Sequence, residues 1–131
     1  MADRSVFIGF GVPVRGREER AVKVFGEFLA LCSRMQTDGR IESSDVTLLD
    51  PHGGELGGFF MLNGSEDQCA ALVNSDEEFR RATIDATLIV ENFGVVLARS
   101  GEAVGPEMAL YGEAVAKLGD SAPATVGRNG S

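Results

Sequence analysis

The stretch LLDPHGGELGGFFMLNG, residues 48–64, decides the fold, because it places a turn between two segments that alternate like β-strands. Asp50, Pro51 and Gly53 occupy the first, second and fourth positions of a type I turn. Proline fixes the backbone at the second position, and glycine accepts the conformation that closes such a turn. Residues 56–63 then carry apolar side chains on both faces of a strand pattern. The stretch therefore predicts a hairpin that joins two halves of the chain.

The half before the hairpin predicts strand, helix, strand. Residues 5–14 alternate with period two, and residues 17–36 switch to apolar spacings of three and four, typical of an amphipathic helix. Gly39 is the expected helix stop. Residues 40–50 predict a second strand, which begins with polar residues and is therefore placed at an edge of the sheet.

The half after the hairpin predicts a helical region followed by a strand. Ser65 with Gln68, and Ser75 with Glu78, match the capping-box pattern, so a helix is expected to start, break near residue 74 and restart. Residues 86–98 predict the fourth strand, and residues 102–118 an additional helix. This order is an α+β, ferredoxin-like βαββαβ fold with a four-stranded antiparallel sheet. We expect residues 1–119 to form one domain and residues 120–131 a flexible tail.

Composition excludes several classes of partner. The chain has 131 residues and a net charge of −8, which disfavours nucleic acids and anionic membranes. No apolar run reaches the length of a membrane span, and the N-terminus lacks the features of a secretory signal. Cys32 and Cys69 fall on apolar helical stripes, so we expect both thiols to be buried and reduced, as in a cytoplasmic protein. The cysteines have no zinc-ligand spacing, and we expect no metal and no cofactor.

The predicted sheet is apolar on both faces, although two helices cover only one of them. In the third strand Phe60 and Leu62 oppose Phe59 and Met61. An uncovered apolar face favours a second copy of the chain, packed sheet against sheet as a homodimer. The C-terminal helix carries an apolar stripe that could instead cover its own sheet or reach across to the partner: Val104, Met108, Tyr111, Val115 and Leu118.

The order of elements and the half GGFFMLNGS…SDEEFRRATIDATLIVENFGVV resemble the dimeric α/β-barrel superfamily, near its YCII-like and uncharacterised members. The resemblance covers about residues 5–99 and rests on pattern rather than on a diagnostic motif. It implies two ferredoxin-like protomers whose sheets pair into a barrel, often with a small-molecule pocket between sheet and helices. Known members include cofactor-independent monooxygenases, haem-degrading enzymes and lactone isomerases.

The chain departs from the enzymes of that superfamily at their functional residues. It has no tryptophan, and its one histidine falls in the hairpin turn rather than on a helix. Near the first helix, where YCII-like proteins pair a histidine with an aspartate, residues 17–20 offer only arginine and glutamate. No catalytic residue of the family therefore carries over to this chain.

Three places are candidate ligand contacts. His52 lies between Asp50 and Glu55. This arrangement is compatible with acid–base chemistry and, less favourably, with metal binding. The simpler interpretation is that His52 is a turn residue. Arg15 and Arg17 precede a helix start, where free amides favour an anion.

Glu91 and Asn92 interrupt the apolar fourth strand, and a polar group on a buried face needs a partner. Two functions stay open at this point. The first is a small-molecule-binding dimer, including a cofactor-independent enzyme, with Glu91 or Asn92 in an enclosed pocket. The second is a non-catalytic homodimeric assembly module whose polar groups are bonded at the interface.

Overall fold

The computed structural model describes residues 2–121, with side chains described as far as residue 119. The elements are β1 (Arg4–Phe10), α1 (Glu18–Thr37), β2 (Ser43–Leu48), β3 (Gly58–Gly64), α2 (Glu66–Ser75), α3 (Glu77–Thr87), β4 (Gly94–Arg99), a short 3-10 turn (Gly101–Ala103) and α4 (Val104–Ser121). All strand pairs are antiparallel, and the sheet order is β2-β3-β1-β4. The predicted ferredoxin-like α+β fold with an additional C-terminal helix is confirmed.

The core lies between one face of the sheet and helices α1 to α3. Strand alternation sends Val6 and Ile8 of β1, with Phe60 and Leu62 of β3, towards the helices, where all four side chains are buried. Phe28 of α1 contacts Phe60 edge-on, with ring centroids 4.8 Å apart. Cys32 and Cys69 are free and buried in the same core, as the sequence predicts.

The helix ends follow local chemistry. Gly39 ends α1 with a φ of +85°, a conformation that glycine adopts without strain. The capping box of Ser65 and Gln68 starts α2 as predicted. The second predicted capping box is wrong, because Asp76 rather than Ser75 caps α3 by accepting the Phe79 amide at 2.8 Å.

The strand boundaries differ from the prediction, most of all in the fourth strand. β1 and β2 are shorter than predicted, and β4 begins at Gly94 rather than at residue 86. Helix α3 continues to Thr87, and Ile89 is then buried against α1. Asn92 has a φ of +54°, which breaks the extended conformation before β4 can begin. Burial of Ile89 against a helix, rather than strand pairing, therefore accounts for this apolar stretch.

Among the described residues, no helix covers the sheet face opposite α1 to α3. Phe7 and Phe59 contact each other at a centroid distance of 5.3 Å, and Phe7 is flanked by Met61 and Val96 in the two neighbouring strands. We call these four residues the open-face patch. Beside it, the buried Ser5 hydroxyl donates to Asn63 Oδ1 at 2.8 Å.

Helix α4 projects from the domain. Every side chain described in it, over residues 104–119, is exposed to solvent. An ion pair of Arg99 with Glu107, at 3.3 Å, lies at its base. The helix therefore does not cover its own sheet, which removes one of the two alternatives that the sequence left open.

Most of the predicted tail, residues 122–131, lies outside the described residues. Within residues 2–121, no helix has the length and apolar character needed to cross a membrane.

Candidate functional site

An apolar cleft opens between the sheet and the N-terminal half of α1. Its volume is about 250 Å³. The walls come from the end of β1, the first half of α1, the end of β2, strand β3, the end of α3 and the loop before β4. The lining residues are Ile8, Phe10, Gly11, Pro13, Ala21, Val22, Val24, Phe25, Phe28, Leu48, Phe60, Ala86, Ile89, Val90 and Phe93.

Backbone contacts hold the cleft open at the end of β1. The Gly11 amide donates to the Glu91 carbonyl at 2.7 Å, and the Glu91 amide donates to the Val12 carbonyl at 2.9 Å. A β-bridge between Pro13 and Val90 follows. The chain after β1 is thus fastened to the loop before β4, and the two segments together form one wall.

The close approach of the backbone at this wall explains the glycine at position 11. A Cβ at Gly11 would lie 2.8 Å from the carbonyl oxygens of both Glu55 and Glu91. Glycine at position 11 therefore permits close packing of the backbone at this wall.

The lining of the cleft carries no acid–base group and no nucleophile among the described residues. Every lining side chain is aliphatic or aromatic, apart from glycine. Phe10, Phe25 and Phe60 form a run of contacting rings, with centroids 5.5 to 6.0 Å apart. The described lining is therefore suited to contact with apolar surface.

His52 is engaged in its own turn. Its Nδ1 accepts the Gly54 amide at 3.1 Å, and its Nε2 lies 2.8 Å from the Leu56 carbonyl oxygen. Because Nδ1 accepts, the proton must reside on Nε2, which then donates to Leu56. These bonds engage both ring nitrogens within the loop and support the interpretation of His52 as a turn residue; a ligand contact there stays a prediction.

The two arginines before α1 lie apart from the lining of the cleft. Arg15 is exposed, and Arg17 donates from Nη1 to the carbonyl of Leu88, which ties the start of α1 to the end of α3. The Glu18 carboxylate accepts the Gly16 amide at 3.0 Å, so it occupies a donor that an incoming anion would use. Anion binding by Arg15 and Arg17 stays a prediction.

Glu91 and Asn92 are placed differently from the expectation. They lie in the loop before β4 rather than in a strand, and both are exposed. The prediction that they interrupt a buried strand is wrong, because the strand starts only after the turn at Asn92. Neither residue is among those that line the cleft. Their role as ligand contacts stays a prediction.

A cluster of ion pairs lies at the other end of α1. Arg40 contacts Asp38, Asp76 and Glu78 at 2.9 to 3.1 Å. The hydrogen bond from Arg40 lowers the pKa of Asp38, and bonds from Arg34 and then Arg40 lower the pKa of Glu78. This network joins the end of α1 to the junction of α2 and α3, and its charges are already paired.

The sequence suggested a pocket between sheet and helices but not its lining. The lining includes the small residues Ala21 and Ala86, which lie on two different helices and share no local sequence pattern. Within residues 2–121, no group of three or more histidine, cysteine, aspartate or glutamate side chains is arranged to hold a metal ion.

Comparisons with known proteins show the fold alone. No protein-family model matches the chain, and no curated protein matches it. A solved structure of a dimeric protein of unknown function with a ferredoxin-like fold, from Bacteroides fragilis, is similar with a TM-score of 0.55 and 13% identity. The similarity covers 73% of this chain and 95% of that one. It supports the ferredoxin-like fold, whereas the YCII-like assignment stays a prediction.

Proposed function

We propose that the protein is a homodimer that binds an uncharged, apolar small molecule in the cleft and does not transform it chemically. The proposal rests on the lining of the cleft. The cavity is large enough for a small molecule, and none of the described lining residues has an ionisable side chain. Ligand sites are concave and mostly apolar, and general acid–base or nucleophilic catalysis requires a placed ionisable or nucleophilic side chain.

Size and polarity define the ligand class. An apolar cavity of about 150 Å³ holds benzene, so a cleft of about 250 Å³ suits a molecule of roughly naphthalene size. Rings entering the cleft would contact Phe10, Phe25 and Phe93. A carboxylate or ammonium group inside the cleft would lose its hydration without gaining a partner, so the buried part of the ligand carries no charge.

The homodimer is proposed from the open-face patch. Phe7, Phe59 and Met61 are half-buried and Val96 is 56% exposed, so a monomer would leave this apolar surface partly wet. The similar structure from Bacteroides fragilis is described as dimeric, which supports the same assembly here. A second copy packed on this face, as in the dimeric α/β barrels, would bury the patch.

The proposal includes a cytoplasmic location, which is supported by the buried free thiols of Cys32 and Cys69.

The test uses naphthalene as the probe and 2-naphthoate as its charged counterpart. We expect naphthalene to shift the methyl resonances of Ile8 and Ile89, which line the cleft, and to leave those of Ile41, a core residue outside it, unchanged. We expect 2-naphthoate to bind at least about tenfold more weakly. Sedimentation at micromolar concentration should give the mass of a dimer.

A matched pair of variants localises the binding. Ala86→Leu extends a side chain into the cleft from the last turn of α3, whereas Ala71→Leu makes the same change on the exposed side of α2. Naphthalene binding should disappear in the first variant and persist in the second. A dimer that binds no probe would instead favour the assembly module, and a monomer would contradict the proposed assembly.

A further inference from the structure

Helix α4 carries an exposed apolar stripe and glycines that no contact among the described residues of the protomer accounts for. Met108, Tyr111 and Val115 lie on one stripe and are 59%, 66% and 52% exposed. Gly105 and Gly112 are one heptad apart beside that stripe, and a Cβ at either would meet nothing within 4 Å. Each glycine costs an exposed helix about 1 kcal/mol relative to alanine, and an isolated helix of this length is marginal in water. These features fit a helix that packs closely on a surface outside its own protomer.

A matching surface lies at the opposite edge of the sheet. Val46 and Leu48 of β2 point to the helix side of the sheet but are 42% and 65% exposed, because β2 is an edge strand. Val22 and Leu29 of α1 are exposed by 74% and 39%. We call these four residues the α1/β2 groove. Val22 and Leu48 also line the cleft, so the groove is the apolar mouth of the ligand site.

Two-fold symmetry brings these surfaces together. Helix α4 follows β4, and β2 forms the other edge of the sheet. When two copies pack open face to open face about an axis parallel to the strands, the β4 edge of each copy lies over the β2 edge of the other. We propose that α4 of each subunit then crosses to the α1/β2 groove of its partner and covers the mouth of the partner's cleft. This inference rests on the proposed homodimer and on the proposed ligand site.

The area involved is that of a stable dimer. A four-stranded face with strands of six or seven residues measures roughly 400 Å². An 18-residue helix about 27 Å long adds a strip of roughly 270 Å². With the groove that receives the partner's helix, each subunit contributes about 800 Å² or more, the size of a standard stable interface. The sheet face alone falls well short of that value.

Two variants with equal exposure test the arrangement. Met108→Glu places a charge on the stripe, and Leu110→Glu places the same charge on another side of α4; the two native side chains are 59% and 61% exposed. Because both are exposed in the protomer, neither change disturbs the domain itself. We expect Met108→Glu to raise the dimer dissociation constant by at least about 30-fold and to weaken naphthalene binding, and Leu110→Glu to change neither.

Cross-linking then locates the helix. A Tyr111→Cys variant mixed with a Leu48→Cys variant should be joined between subunits by a short bismaleimide, while Leu110→Cys mixed with Leu48→Cys should not. The native thiols are buried and do not compete. Suppose that the wild type is a dimer. If Met108→Glu then changes neither association nor probe binding, or if position 111 does not link to position 48, the inference is overturned and the proposed function stands. A wild-type monomer that binds no probe would instead be the failure of the proposed function.

Discussion

Gly11 offers a stability test of the wall of the cleft. A methyl group at this position would lie 2.8 Å from two backbone carbonyl oxygens, well inside the 3.4 Å at which ordinary contact begins. The Glu91 oxygen does not move easily, because that carbonyl accepts the Gly11 amide at 2.7 Å. Overpacking of this kind costs about 1 to 3 kcal/mol, and the weakened hydrogen bond about 1 kcal/mol more. We therefore expect Gly11→Ala to lower the free energy of unfolding by about 2 to 4 kcal/mol.

Substitution of Gly26 by alanine is a control that should change the free energy of unfolding in the opposite direction. It lies in the middle of α1, is exposed, and has nothing within 4 Å of an added Cβ. Gly26→Ala should raise the free energy of unfolding by about 1 kcal/mol through helix propensity. Urea unfolding followed by far-ultraviolet circular dichroism, at one fixed protein concentration, should move the midpoint of Gly11→Ala down by about 1 to 2 M. Equal midpoints for Gly11→Ala and the wild type would refute the close approach.

Three further predictions concern an ion pair, a helix cap and the thiols. Arg40 lowers the pKa of Asp38 below 3.8, so the pair stabilises the fold above that pH and the effect is lost as the pH falls through the lowered pKa. Asp38→Asn should therefore destabilise the protein at pH 7 in urea unfolding and converge with the wild type in acid; a constant difference would contradict the pairing. Ser65→Ala should cost about 1 kcal/mol in the same assay, whereas an unchanged midpoint would exclude the capping box. Burial raises the pKa of Cys32 to about 11 and also raises that of Cys69, so a thiol reagent at pH 8 should label them only after unfolding; rapid labelling of the native protein would contradict their burial.

The fold was predictable because the hydrophobic period changes cleanly along the chain. Strand alternation around Ile8 and Phe60, and helical spacing around Phe28, each place an apolar side chain that the structure buries. The apolar run Leu88 to Val90 misled the strand assignment, because a short apolar segment fits a strand and a helix-packed loop equally well. Only the tertiary contact of Ile89 with α1 distinguishes the two.

The candidate site was predictable in its position but not in its chemistry. A pocket between sheet and helices follows from the fold, whereas the polar pair Glu91 and Asn92 was expected in that pocket because a strand would have buried one of them. The turn at Asn92 places both outside it. The lining instead depends on small residues from separate elements, such as Gly11, Ala21 and Ala86, which no local pattern connects.

The exposure of α4 has a spectroscopic consequence. The chain contains no tryptophan and a single tyrosine, and that tyrosine is Tyr111 on the stripe of α4. Intrinsic emission excited at the tyrosine band therefore originates outside the packed domain, and it reports the surroundings of this helix rather than the state of the core. If α4 docks on a partner subunit as proposed, a change in tyrosine emission upon dilution would register the departure of the helix while the circular dichroism of the domain stays constant. The protein thus carries a native optical reporter for the proposed docking of α4 on a partner subunit.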